Sequence, residues 1–487
     1  MNITHFHIQG LFNPASGISD GVDTGGQTRF VHEVAYAQAQ EGHNVTVVAR
    51  LMDASVSGSS ESELSRQSYG RRGEAPYTIR RVEFGDKNKF VRKEDMYSKV
   101  PQISHAVSKS LKEQLAETDL IVSHYADAGL VAEQVKNDIF DKHGRNVPHL
   151  HIPHSIGYAK MTGLFESLPN DNQAAQKKLD EIYSEKYNFN QRLGAEQYIY
   201  NHVDLLVHTS DSQVGMGHEY PYFATNTPHT VIHPGYNKQV FYPSNKPEQR
   251  VKALDELGFP GIKEEDTVIG IAARFVPEKG YGSLIKAMPF IVAENPNVKF
   301  LMIGGDYKDP HDAKLLKELQ EESKQVLGSA EKAEELIFWR EGMDQQDLAG
   351  EFRNIDVFTS LRRNEPFGMA ALEATASGAS VVVDGTSGIA ETLPEDVISR
   401  CDASNPRELA DMILNANKFD KSRAIEHVNS NYTWGAIGQK IVEEAKNTSV
   451  RPARSVPSIN RLSSNSDDIF ACHKLASGVK CLKYENN

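Results

Sequence analysis

Cysteine is scarce in this chain: 3 in 487 residues. Cys401, Cys472 and Cys481 show no spacing that suits a thiolate metal site, and the last two fall in a tail-like stretch. Free thiols in a reducing compartment, by default the cytoplasm, are the expectation. Long apolar runs are missing too. No stretch approaches the ~20 residues of a helical membrane span, and the first residues lack the basic start and apolar core of a secretory signal. Positive charge is in the minority, with 53 Lys and Arg against 66 Asp and Glu and a formal net charge of −13. That balance argues against nucleic acid as a partner but allows a local basic pocket for a small phosphorylated ligand. A dinucleotide fingerprint is also wanting. Gly25-Gly26-Gln27-Thr28-Arg29-Phe30 lacks the later glycines, and the strand that follows ends on Arg50 rather than on an acidic residue.

What is present is a long alternation of short apolar strands and amphipathic stretches. Its length calls for at least two domains, each with its own core. Strands are predicted at residues 2–8, 44–49, 77–82, 120–123, 148–152 and 203–207, with a polar excursion at 51–75, a helical stretch from about 90 to 115 and a polar helix at 183–201. His233-Pro234-Gly235 breaks regular structure, and a fresh α/β series follows, with strands at 267–272, 298–303, 336–339, 357–360 and 379–383. The expected division is therefore 1–235 and 236–430, a helix at 431–446, and a loosely attached or disordered tail at 447–487.

The chemistry gathers on Glu365-Pro366-Phe367-Gly368-Met369-Ala370-Ala371-Leu372-Glu373. Pro366 and Gly368 predict a loop that turns into a helix near Met369, so the amides of Phe367, Gly368 and Met369 face the same space as Glu365, with Glu373 about one turn deeper. Amides at a helix start accept phosphate oxygens, and each carboxylate can take vicinal hydroxyls of a sugar or ribose. Arg274 and Lys279, on the loop after the strand at 267–272, are the cationic complement for a diphosphate. Taken singly, each of these is an ordinary surface residue. Their shared position at strand C-terminal ends, where open α/β sheets bind ligands, sets them apart. In the first half, Gly25 and Gly26 stand at the first strand-to-helix turn, and His124 and His154 close successive strands.

Arg274-x4-Lys279-Gly280 with Glu365-x7-Glu373 and Gly25-Gly26 resembles the retaining glycosyltransferases of family 4. That likeness implies an α/β GT-B fold: two Rossmann-like domains with parallel sheets facing across a cleft and a C-terminal helix crossing back. Within the family, Thr24-Gly25-Gly26-Gln27, Lys93-Glu94, His124-Tyr125-Ala126-Asp127-Ala128-Gly129 and His154-Ser155-Ile156-Gly157 look most like sucrose-phosphate synthases and sucrose synthases. By resemblance, Arg274 and Lys279 hold the donor diphosphate and Glu373 the ribose. Glu365, Gly26, His154 and the amides of Phe367, Gly368 and Met369 serve the transferred sugar. Gln27, Lys93, Asp127 and Arg192 fall where the relatives grip the acceptor. Gln191 departs from the pattern, because relatives with a phosphorylated acceptor carry two adjacent arginines there.

The resemblance implies transfer of a hexose, with UDP-glucose as the first choice of donor and fructose 6-phosphate as the first choice of acceptor. No metal site is expected and no cofactor is required, a divalent ion such as Mg2+ being at most stimulatory. Two alternatives stay open within the class, a different sugar such as a mannosyl donor and an unphosphorylated acceptor. Outside it stand a Rossmann oxidoreductase and a sugar-binding protein without activity. Nucleobase identity and oligomeric state are not readable in the sequence.

Overall fold

The computed structural model describes residues 1–12, 26–53, 67–69, 76–166, 187–218, 227–244, 255, 262–416, 420–452 and 456–457. The chain divides into two compact units: residues 1–209, 213–232 and 437–487 form the first, and 210–212 with 233–436 form the second.

The first unit is built on Asn2–Phe6 (β1), Asn44–Arg50 (β2), Gln67–Tyr69 (β3), Thr78–Val82 (β4), Leu120–His124 (β5), His149–Ile152 (β6), Leu205–His208 (β7) and His229–Val231 (β8). They pair in the order β3-β4-β2-β1-β5-β6-β7-β8, parallel throughout except for β3 against β4. Runs such as Leu120-Ile121-Val122 are buried at every position, as strands covered on both faces must be. Because β1 has β2 on one side and β5 on the other, the chain reverses its winding there, and the loops after β1 and β5 open a crevice at their carboxyl ends.

The second unit repeats the plan with Thr267–Ala272 (β9), Val298–Ile303 (β10), Ile337–Arg340 (β11), Val357–Ser360 (β12), Ser380–Asp384 (β13) and Ser399–Cys401 (β14). Their order is β11-β10-β9-β12-β13-β14, all parallel, with the reversal between β9 and β12. The helix Tyr281–Glu294 lays Leu284, Ile285, Met288 and Ile291 on this sheet, one apolar stripe at helical spacing. Both units are Rossmann-like. The helix Trp434–Asn447 begins in the second unit and from Ile437 onward belongs to the first, where Lys440 donates to the Val231 carbonyl at 3.1 Å.

Several local expectations need correction. The stretch 90–115 is not one helix. It is two 3-10 turns, Lys93–Asp95 and Tyr97–Lys99, followed by helices Val100–Ser110 and Lys112–Glu117, with Pro101 in the first turn of the longer one. The polar excursion includes β3, and its residues 54–66 and 70–75 lie outside those described. The polar helix starts at Phe189, after Asn188 in a left-handed conformation. The start of the tail is held: the Arg451 amide donates to Asp204 Oδ1 at 2.5 Å and its guanidinium to the Asn201 carbonyl at 2.9 Å. Asp204 also takes Lys136 Nζ at 2.6 Å in a fully buried pair. Cys401 is buried and free, and burial pushes its thiol up to about 12. Cys472 and Cys481 lie outside the described residues. No helix among the described residues is long and apolar enough to cross a membrane.

Candidate active site

In the second unit the loops after β9 and β12 carry the predicted donor residues. The β9 loop runs through Arg274 into the 3-10 turn Pro277–Lys279. Gly280 then adopts φ +86°, and a Cβ there would lie 2.5 Å from Leu361 Cβ, so this glycine lets the two loops touch. Across that contact Lys279 Nζ lies 2.7 Å from Glu365 Oε2, and Arg362 reaches the same oxygen at 3.4 Å. Burial would raise the Glu365 carboxyl, but Lys279 and then Arg362 outweigh it and hold the group below the ordinary carboxylate range. Arg274 is exposed, its guanidinium engaged by none of the described residues.

The backbone beyond Glu365 is pinned to the next strand-to-helix turn. Gly388 donates to the Glu365 carbonyl at 2.9 Å and Ile389 to the Phe367 carbonyl at 2.8 Å. Phe367 is buried and stacks on His233 with centroids 5.6 Å apart. Gly368, at φ +117°, precedes the helix Met369–Ala376, and no side chain caps it. The amides of Met369 and Ala370, at the start of the first turn, therefore remain available to an anion, while Ala371 donates to the Gly368 carbonyl at 3.0 Å and Glu373 is buried one turn on. The structure thus brings Lys279 and Glu365 into contact. It places Arg274 on the same loop as Lys279, and Phe367, Gly368, Met369 and Glu373 on the segment that follows Glu365.

The first unit gathers the other predicted residues around the ends of β1, β5 and β6. Gly26 is exposed and opens the helix Gly26–Gln40, while Thr24 and Gly25 lie outside the described residues. Gln27 takes Gln9 Nε2 on its carbonyl at 2.7 Å and places its amide 3.1 Å from His7 Nδ1. Asp127 is buried in the first turn of the helix Ala126–His143. Lys93 is partly exposed in its 3-10 turn, which Asn188 ties to the helix Phe189–His202 through the Glu94 carbonyl at 2.6 Å. Arg192 is buried and committed. Its Nε donates to Glu196 Oε1 at 2.7 Å, its NH2 to the Ser155 carbonyl at 3.1 Å, and its guanidinium lies over the Tyr125 ring at 4.8 Å. Glu196 in turn accepts the Gly157 amide at 2.7 Å. Arg192 therefore holds the loop after β6, the loop that carries His154. Gln191 accepts from Asn188 at 2.9 Å.

The sequence reading singled out His124 and His154 but missed the other histidines that join them. His5, His124 and His154 are linked ring to ring, and Ser123 Oγ lies 2.7 Å from His149 Nε2 and 2.8 Å from His151 Nδ1. Burial lowers His5 to about 4 and His7 and His154 to about 3, so these rings are uncharged at neutral pH. The clue lay in and beside the strands: His5 in β1 with His7 just past its end, and His149 and His151 in β6, each pair two residues apart in extended chain. Arg362 was also missed, three residues before Glu365. Among the described residues Asp309, His311 and Asp312 could offer ligand atoms to an ion, but Asp309 already caps the helix Pro310–Leu327.

The chain's first half, residues 25–235, matches the Glycosyl transferase 4-like domain, and residues 255–425 match Glycosyl transferases group 1. The chain belongs to the GT-B glycosyltransferases of family 4. It is 26% identical over 439 residues to the mannosylfructose-phosphate synthase of Agrobacterium fabrum, covering 88% of each chain. Its fold is similar to that of sucrose-phosphate synthase from Thermosynechococcus elongatus, with TM-score 0.69, 20% identity and coverage of 92% of this chain and 98% of the other. An Anabaena protein solved with UDP and glucose is similar at TM-score 0.60 and 17% identity, over 92% of this chain and 100% of that one. As a glycosyltransferase, the chain carries its charged loops at the strand ends where such folds take their ligands.

Proposed function

We propose that this glycosyltransferase moves a hexose from a nucleotide sugar, UDP-glucose in first choice, to fructose 6-phosphate, with retention of anomeric configuration and without a required metal ion. The observation that carries the donor half is the Lys279–Glu365 contact at 2.7 Å, with Arg274 exposed on the same loop and uncapped amides beyond Gly368. Breaking a sugar–phosphate bond puts negative charge on the departing diphosphate, and Arg274, Lys279 and the helix-start amides are placed to stabilise it. Glu365, anionic and fixed by two cations, accepts hydrogen bonds from sugar hydroxyls. Buried Glu373 takes the ribose.

Among the described residues no carboxylate stands out as a nucleophile. The acceptor hydroxyl attacks from the face the diphosphate leaves, and a departing phosphate oxygen takes its proton. Neutral His154 orients the sugar rather than titrating. The names of the Agrobacterium and Thermosynechococcus relatives, both synthases of phosphorylated products, support the acceptor half, and Lys93 is its cation in the first unit. A second reading, an unphosphorylated acceptor, is favoured by Arg192, whose guanidinium is already taken by Glu196 and Ser155, and by Gln191 beside it.

The test is release of nucleoside diphosphate from UDP-, ADP- and GDP-sugars of glucose and mannose, with fructose 6-phosphate and fructose offered side by side, in the presence and absence of a chelator. Phosphate-dependent turnover that survives chelation, with the product anomer matching the donor's by NMR, is the expected result. Turnover with fructose alone would replace the acceptor by its unphosphorylated form, and loss of activity on chelation would overturn metal independence.

A further inference from the structure

Three of these histidines form a chain whose direction is set from outside it. His5 lies on β1, His124 ends β5 and His154 follows β6 by two residues. His5 Nδ1 is 2.9 Å from His124 Nε2, and His124 Nδ1 is 2.9 Å from His154 Nε2. Adjacent rings lie nearly parallel, with centroids 5.3 and 5.2 Å apart. At the inner end His5 Nε2 meets Gln38 Oε1 at 2.8 Å, and Gln38 Nε2 donates to the Gly438 carbonyl at 3.5 Å, on the helix Trp434–Asn447. His154 Nδ1, at the outer end, is bonded to none of the described residues, and His154 is partly exposed.

A neutral imidazole has one N–H and one lone pair. Three such rings in series have two self-consistent proton arrangements, and the amide at the end selects between them. With the Gln38 carbonyl towards His5, His5 donates from Nε2, His124 donates from Nε2 to His5 Nδ1, and His154 donates from Nε2 to His124 Nδ1. A bare lone pair is then left on His154 Nδ1. Turning the Gln38 amide over would reverse all three rings and put a hydrogen there, but it would also set the Gln38 oxygen against the Gly438 oxygen.

We propose that the Gly438 carbonyl, acting through Gln38, His5 and His124, fixes His154 as the Nε2–H tautomer and so presents its Nδ1 as an acceptor for a hydroxyl of the bound sugar. The hydroxyl contact rests on the sugar-transfer reading above; the tautomer does not. Gln38, His5 and His124 are positioning residues, since each acts through the next ring.

The tautomer is read from long-range 1H–15N correlations of the full-length protein labelled with 15N-histidine, without any sugar, His154 being assigned by the signals lost in His154→Gln. The expected pattern is a protonated Nε2 and a bare Nδ1. Gln38→Leu removes the selector and should bring in the Nδ1–H form. Gln38→Glu, whose carboxylate can only accept, should keep the native pattern. In turnover at a temperature where both variants stay folded, Gln38→Leu should lower kcat/KM about tenfold, the scale of one hydrogen bond, and Gln38→Glu should restore it. A proton on Nδ1 in the native protein, or a His154 pattern unmoved by Gln38→Leu, would overturn the proposal. A changed tautomer with unchanged kcat/KM would overturn the hydroxyl contact. Lack of turnover by the native enzyme with any sugar would count against the proposed function alone, since the spectrum is recorded without substrate.

Discussion

Replacing Lys279 by Met keeps the length of the side chain and removes its charge, which separates two roles of one ammonium group. In the free protein Nζ sits 2.7 Å from Glu365 Oε2, with the two side chains 19% and 16% exposed. Coulomb attraction at that distance is about 6 kcal/mol at an effective dielectric of about 20. Desolvation and the ordering of a long side chain offset most of it, and loss of one partner from a charge-assisted hydrogen bond costs about 1.5–3 kcal/mol. Arg362, 3.4 Å from the same oxygen, keeps Glu365 paired, so the stability loss should fall at the low end of that range. The diphosphate keeps Arg274 but loses one of its two loop cations. UDP affinity, measured by calorimetric titration at fixed salt, should therefore fall about ten- to a hundredfold, while urea unfolding reports the smaller stability change. An affinity within about threefold of the native value, with stability reduced, would show that Lys279 serves Glu365 alone and would refute its assignment to the diphosphate.

Gly280→Ala forces a Cβ to within 2.5 Å of Leu361 Cβ at a backbone angle of φ +86°, which should cost about 2–4 kcal/mol in urea unfolding; a cost under about 1 kcal/mol would mean that the two loops part easily. Arg192→Met leaves Glu196 buried without its cation and should destabilise by about 3–5 kcal/mol, with kcat/KM for fructose 6-phosphate and fructose reduced by the same factor. A loss confined to the phosphorylated acceptor would make Arg192 a phosphate ligand after all. Acid should also weaken the fold. The folded His5 titrates at about 4 against 6.5 for an exposed ring, so between those values the unfolded chain binds more protons. The stability it contributes is fully present above about pH 6.5 and is lost as the pH falls through about 4. From His5 alone, unfolding free energy should be about 2 kcal/mol lower at pH 5 than at pH 7; equal values at the two would refute the neutral ring.

The fold was legible because its strands are short, apolar and buried on both faces. Val298–Ile303 and Thr267–Ala272 could be marked to the residue, and the loop-to-helix turn at Gly368 announced itself through Pro366 and Gly368. The charged loops after β9 and β12 were readable for the same reason, since charge at the end of a buried strand is conspicuous. What the sequence hid was pairing. Nothing in the spacing of Lys279 and Glu365, or of Arg192 and Glu196, told which cation a neighbour already held, and a helix-spaced Arg and Glu do not look different from a free Arg. Tertiary context also split the stretch 90–115 into turns that apolar periodicity had merged. His124 and His154 were noted at their strand ends, but His5 and the link between the rings escaped notice because a His in a buried strand is ordinarily a packing residue, and only the three-dimensional order of β1, β5 and β6 lines them up.

The helix Trp434–Asn447 and the residues after it give the first unit a second, distant portion of chain. During synthesis, residues 1–232 emerge well before Gly438 can meet Gln38, before Lys440 reaches the Val231 carbonyl and before Arg451 closes over buried Asp204. The earlier portion must therefore wait, incompletely fastened, while the whole of 233–436 is made. The eight strands of the first sheet, all before residue 232, can pair as they emerge, but the first unit is completed only after the second, continuous apart from residues 210–212, has been made.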